Sequence, residues 1–188
     1  MRLDILDAAM SVFTRTGIHS TTIEMIAREA GLGKGTIYLY FKSKEELTIR
    51  LLENIFAGME ERLEATPAPE TLDDFLAQLH ASLDIPQEQA SFIRIFFEVF
   101  GPEFRSEEFA TSVAVYFDRL GKRWGAQISI LQERGEIRAE INAELTARTM
   151  VSMIDGIVLH KGLFAICNTR YKLMVNEALC LVGNGLRV

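Results

Sequence analysis

Apolar residues recur every three to four positions through most of this chain and nowhere alternate over the length of a strand, so the pattern predicts helices throughout. The expected elements lie near residues 2–16, 22–30, 34–41, 44–65, 71–84, 87–100, 106–134, 143–166 and 169–186. The prolines, at positions 67, 69, 86 and 102, each fall near one of these boundaries, where a missing backbone N–H costs little. The fold class is all-α.

Boundary signals are densest between residues 20 and 47. Thr21 with Glu24 reads as a capping box, which predicts a helix from about Thr22. Its inward face is Ile23, Ile26, Ala27 and Ala30. Gly31 is placed to end it, because glycine takes the left-handed conformation without a steric penalty. Leu32 fills the corner, and Gly33 is a permissive N-cap for the next helix. That helix turns Ile37 and Phe41 inward and leaves Lys34, Gly35, Thr36, Tyr38 and Tyr40 to a partner. Ser43 with Glu46 reads as a second capping box, and the helix it opens, reaching about Ala65, would be roughly 32 Å long. Two short helices around a glycine turn, with hydroxyls and a lysine exposed, are how a chain builds a helix-turn-helix for the DNA major groove.

These residues resemble the TetR family of transcriptional regulators. The matching features are Thr21-Thr22-Ile23, Ile26-Ala27, Ala30-Gly31, Lys34 to Tyr38, Tyr40-Phe41 and Lys44 to Leu47, preceded by Ile5, Ala8, Ala9, Phe13 and Gly17; they cover about the first 55 residues. The resemblance implies an N-terminal three-helix DNA-binding domain over residues 1–47 and a helical effector-binding and dimerisation domain over 48–188. It places Lys34, Gly35, Thr36 and Tyr38 at base edges or the nearby backbone, and Thr22, Tyr40 and Lys44 at phosphates. It implies a cytoplasmic homodimer, most simply a repressor, that reads a roughly palindromic double-stranded operator and responds to a small molecule. Two departures imply fewer backbone contacts: Gly33 stands where many members have Ser or Thr, and the first helix starts almost at Met1, without a basic extension.

In the C-terminal part, seven of the 12 phenylalanines fall between Ser91 and Phe117: Phe92, Phe96, Phe97, Phe100, Phe104, Phe109 and Phe117. A stripe at helical spacing continues through Leu120, Trp124, Ile128 and Leu131. Ordinary core explains most such residues, but stiff aromatics with methionines also line pockets for apolar molecules. With the resemblance, Met59, Phe92, Phe96, Phe100, Phe117, Trp124, Met150, Met153 and His160 are candidate lining for a hydrophobic or aromatic effector. Arg94, Glu98, Asp155 and His160 are candidates to orient its polar end. Residues 150–166 and 171–182 are apolar nearly all round, and a helix without a polar face needs cover on two sides. An isologous four-helix dimer interface supplies it, with Ile154, Ile157, Val158, Met174, Ala178 and Leu181 expected there and Gly156 and Gly162 permitting close approach.

Net charge is −6 overall, but residues 1–53 hold seven basic and seven acidic side chains, so the acidic excess lies outside the helix-turn-helix. A neutral DNA domain implies modest non-specific affinity. It is also the best support for the other reading, a helical ligand-binding or protein-interaction dimer that no longer reads DNA. Cys167 and Cys180 lie in apolar helical surroundings and are expected as buried free thiols of a reducing compartment; a thiol sensor is the alternative, although no flanking cation is evident to lower either pKa. His19, His80 and His160 are dispersed, and no metal-ligand spacing, phosphate-cradling glycine loop or nucleophile–base set occurs, so neither enzyme chemistry, a metal nor a cofactor is expected. No signal peptide or membrane-length apolar run is present.

Overall fold

The computed structural model describes residues 1–85, 93, 95, 107–164 and 166–188. Among them are helices α1 (Arg2–Thr16), α2 (Ile23–Glu29), α3 (Lys34–Tyr40), α4 (Lys44–Ala65), α5 (Leu72–Leu83), α6 (Glu107–Glu133), α7 (Ala143–Gly162) and α8 (Asn168–Leu186), and no strand. The helix expected over 87–100 lies outside the described residues except at Ile93 and Ile95, which are helical and buried. Arg94, Phe97, Glu98 and Phe104 lie outside them too, as does the side chain of Phe109. The chain divides into two compact units, Met1–Glu64 with Arg94–Ser112, and Ala65–Ile93 with Val113–Val188. The first runs along α4 to Glu64.

In the first unit, α1 buries Ile5, Leu6, Ala8, Ala9, Val12 and Phe13, a 3–4 spacing that sets one face against α2. Ile26, Ile37, Phe41, Leu47 and Leu52 are each almost fully buried, so α2, α3 and α4 each contribute an apolar anchor. Polar staples hold the helices in register. The Arg15 guanidinium donates to both Glu29 oxygens, at 3.1 and 2.6 Å, and the Arg2 guanidinium lies 5.2 Å from the Phe41 ring centroid.

The start of α2 differs from the sequence reading by one residue. Thr22, not Thr21, is the N-cap; its Oγ1 accepts from the Met25 N–H at 3.3 Å. Thr21 is buried and donates its hydroxyl to the Gly17 carbonyl at 2.7 Å, while Glu24 reaches Lys34 instead of closing a box. Tertiary burial of the first threonine hands the cap to the second. The end of α2 is as expected: Gly31 has φ +67°, and the bonds Gly31 N→Arg28 O (3.2 Å) and Leu32 N→Ala27 O (2.8 Å) form a Schellman motif.

In the second unit, one core joins Leu72, Phe75 and Leu79 of α5, Trp124, Ile128 and Leu131 of α6, Ala147, Met150 and Val151 of α7, and Leu186 of α8. Phe75 meets Trp124 edge-on, with ring centroids 6.5 Å apart. A second cluster joins Leu83, Ile157, Tyr171, Val175 and Ala178. Thr71 and Asp74 cap α5 reciprocally, and Asn142 caps α7 by accepting from the Leu145 N–H at 2.9 Å. Both cysteines are exposed free thiols. The expected burial is therefore corrected: each sits on the outer side of its element, away from the two clusters.

Candidate nucleic-acid interface and helical body

The face of α3 follows from its core anchors. Ile37 is fully buried and Phe41, one turn on, is the C-cap at 1% exposure. Helical geometry then turns Lys34, Gly35, Tyr38 and Leu39 outward. Tyr38 is 47% exposed, Leu39 82% and Tyr40 39%; Thr36 is half-buried. Gly35 has open space beside it, since a Cβ there would meet nothing within 4 Å.

Lys34 pairs with Glu24 across the turn and lies 5.9 Å from the Tyr38 ring centroid. The hydrogen bond to Glu24 raises the lysine pKa, and the same bond lowers that of the glutamate. The one cation on the exposed side of α3 is thus matched by an anion in the free protein. Thr22 is exposed, with its hydroxyl engaged in the cap. Lys44 is the departure. Its Nζ donates to the carbonyls of Ile18 at 2.9 Å and Thr21 at 3.0 Å, with His19 at 3.5 Å. An ammonium has three donors, and these acceptors take them up in holding the α1–α2 loop. Lys44 is built as a clamp.

Of the residues expected to line a pocket, Trp124 and Met150 are core members of the first cluster of the second unit, and Phe117 packs against it from a half-buried position. Met153 packs on the second cluster. His160 is exposed, its ring edge-on to Phe164 at 4.9 Å. Met59 lies on α4 in the first unit. Phe92, Phe96 and Phe100 lie outside the described residues. Asp155 is half-buried, and burial pushes its carboxyl up to about 6.

The interface residues also separate. Ile157 and Ala178 are each 7% exposed and belong to the second cluster of their own chain, so they turn inward, contrary to expectation. Ile154, Val158 and Met174 are half-buried, and Leu181 is 62% exposed. Leu173, at 64%, joins Leu181 on the outer face of α8, and Ser152 and Gly156 are exposed on α7.

Residues 5–51 match the model of bacterial regulatory proteins of the tetR family. Residues 72–179, over half of the chain, match the C-terminal domain of BetI-type transcriptional repressors. The chain belongs to the tetR family of bacterial regulatory proteins. It is similar to the fatty acid metabolism regulator protein of Bacillus subtilis, 42% identical over 62 residues, a match spanning 33% of this chain and 32% of that one. FadR of B. subtilis, whose structure holds stearoyl-CoA, superposes with a TM-score of 0.71 at 23% identity over 98% of this chain and 99% of that one. A transcriptional regulator of Saccharomonospora viridis in complex with choline superposes at 0.83 with 19% identity, over 100% and 97% of the two chains. At these identities the structural likeness establishes the fold.

For a tetR-family chain, two residues of the α3 region were missed by sequence reasoning. Leu39 lies off the Ile37–Phe41 stripe, which was signal enough to place it outside. Glu24 was read as a capping acid, and only the packing of α2 on α3 shows it beside Lys34. No described helix is long and apolar enough to cross a membrane.

Proposed function

We propose that this tetR-family regulator is a dimeric repressor, released from a roughly palindromic operator by a small hydrophobic or aromatic effector. The observation that carries the DNA reading is Gly35. A glycine inside a helix costs about 0.5–1 kcal/mol relative to alanine, and nothing in the fold needs the space at this position. A close-approaching partner explains it. Lys34, Thr36, Tyr38 and the missed Leu39 surround it and would meet base edges, with leucine suited to a thymine methyl. Thr22 and Tyr40 would meet phosphates. Lys44 contributes charge from behind its carbonyl clamp.

The outer faces of α7 and α8 supply the dimer contact. Leu173 and Leu181 are apolar and exposed, and Gly156, where a Cβ would again meet nothing within 4 Å, permits close helix approach. Two recognition helices related by a two-fold would sit about 34–36 Å apart, one turn of the duplex. Induction follows from linkage: an effector that binds better to a conformation with misplaced recognition helices lowers DNA affinity, and DNA lowers its affinity by the same factor. A tilt of about 5° in α4 displaces one end by about 3 Å over a helix of its length, enough to spoil register across two half-sites.

The test is selection of bound duplexes from a random DNA pool at fixed moderate salt. One enriched palindrome is the expected result. A stable dimer that enriches no sequence refutes the DNA reading and leaves a helical binding module.

A further inference from the structure

On α6, Arg123 and Gln127 lie one turn apart on one flank, and Arg123 carries an unusual property. The Arg123 Nε is fully buried and finds no acceptor. The same guanidinium is oriented by its Nη2, which donates to the Thr66 carbonyl at 3.0 Å, and it forms no ion pair with any described residue. Gln127 is 8% exposed, and its amide makes no hydrogen bond to any described residue. Buried donors and acceptors are normally satisfied, and leaving one unmade costs about 1–3 kcal/mol, more for a charged group. The buried Arg123 Nε is the unsatisfied donor among the described residues, and the Gln127 amide lies one turn away without a partner among them. A donor left unsatisfied in this way is built to meet something.

The chemistry of that partner can be read from the donors. Arginine presents a planar fork that cannot be deprotonated, whose geometry matches a carboxylate. The Gln127 amide, one turn further, can donate to a second oxygen of the same group. In the other direction the flank continues through Leu120 and Tyr116, both half-buried. An apolar strip therefore leads to a polar end along a single helix face. We propose that Arg123 and Gln127 form the polar end of the effector site, and that the effector is an amphipathic carboxylic acid whose apolar part lies toward Leu120 and Tyr116. This rests on the reading that the C-terminal unit takes an effector, and it replaces Asp155 and His160 as the groups that orient it.

The experiment uses the full chain without DNA. Hexanoate, decanoate and phenylacetate are titrated beside the matching alcohols, hexanol, decanol and phenylethanol. Binding is followed by thermal shift and by the fluorescence of Trp124, the single tryptophan and the neighbour of Arg123. At least one acid should bind on the order of tenfold or more tightly than its alcohol. Arg123→Met should bring that acid to the level of the alcohol, leave the alcohol unchanged, and unfold at the same or a higher temperature because an unpaired charge is gone. If that variant fails to fold, Arg123→Lys, which lacks the Nε–H, is read the same way. Equal binding of acid and alcohol, discrimination that survives in the variant, or a panel in which no acid binds each overturns the proposal. A protein that selects an operator yet binds no acid keeps the regulator reading and loses this one. An acid that binds but releases no DNA keeps the site and refutes the linkage.

Discussion

Replacing Gly35 by alanine separates what the fold wants at that position from what a partner wants. The added Cβ points into open space, with nothing within 4 Å, and α3 is a seven-residue helix with no side-chain cap at its start. The substitution removes backbone freedom from the unfolded chain and adds no clash, so stability should rise by about 0.5–1 kcal/mol. For a chain of this size that is an increase of roughly 1–4 °C in Tm. Against DNA the sign reverses. A methyl at a point of backbone contact forces recognition helix and duplex apart, and losing the contacts around it should weaken the selected operator on the order of tenfold or more, about 1.4 kcal/mol per decade. No charge changes, so affinity should fall in parallel at every salt concentration, with an unaltered salt slope. Scanning calorimetry and fluorescence anisotropy on the same preparations measure both. A more stable variant that binds the operator like the parent would refute the reasoning, because the glycine would then have no external purpose. A less stable variant would refute the premise that the position is open.

The remaining predictions concern charge and burial. Glu24→Gln frees Lys34 from its partner and removes an anion beside α3; operator and non-specific DNA should both bind more tightly, and the salt slope in filter binding should steepen by up to about 1. Lys44→Ala withdraws the donors of the Ile18 and Thr21 carbonyls, so its main effect should be on stability, about 1–3 kcal/mol in urea unfolding, with a smaller change in salt slope than a free phosphate-binding lysine would give. Burial raises the Asp155 carboxyl from 3.8 to about 6, so the folded state holds this proton more tightly than the unfolded chain does. The ionised form costs stability above about pH 6, and the cost is relieved as pH falls toward the unfolded value. Asp155→Asn should therefore stabilise by roughly 1–2 kcal/mol near pH 8, after allowing for partial solvent screening, and by almost nothing near pH 4; equal gains at both would exclude a titrating carboxylate.

What the residues determined by themselves is what short-range physics decides. The 3.6-residue spacing of Ile5, Ala9, Val12 and Phe13 makes one face of α1 apolar whatever it packs against. Gly31 takes positive φ because a Cβ would be strained there, and the Thr71–Asp74 box needs only its own four residues. The tetR-family assignment was legible for the same reason, since its motif is a run of such local devices around α2 and α3. The tertiary structure decided everything that depends on distant segments. Lys44 reads as an exposed lysine from its position alone, and only the α1–α2 loop, 23–26 residues earlier, brings carbonyls to its ammonium. Glu24 and Lys34 become partners only when α2 packs on α3. Ile157, Ala178, Leu173 and Leu181 are all apolar residues on apolar helices, so composition could not say which pair fills the protomer and which faces outward; the relative rotation of α7 and α8 does. Arg123 and Gln127 likewise read as ordinary polar residues of a long helix. Only packing removes water from the Arg123 Nε without supplying a partner, and that deficit, invisible in sequence, is what points to the proposed site.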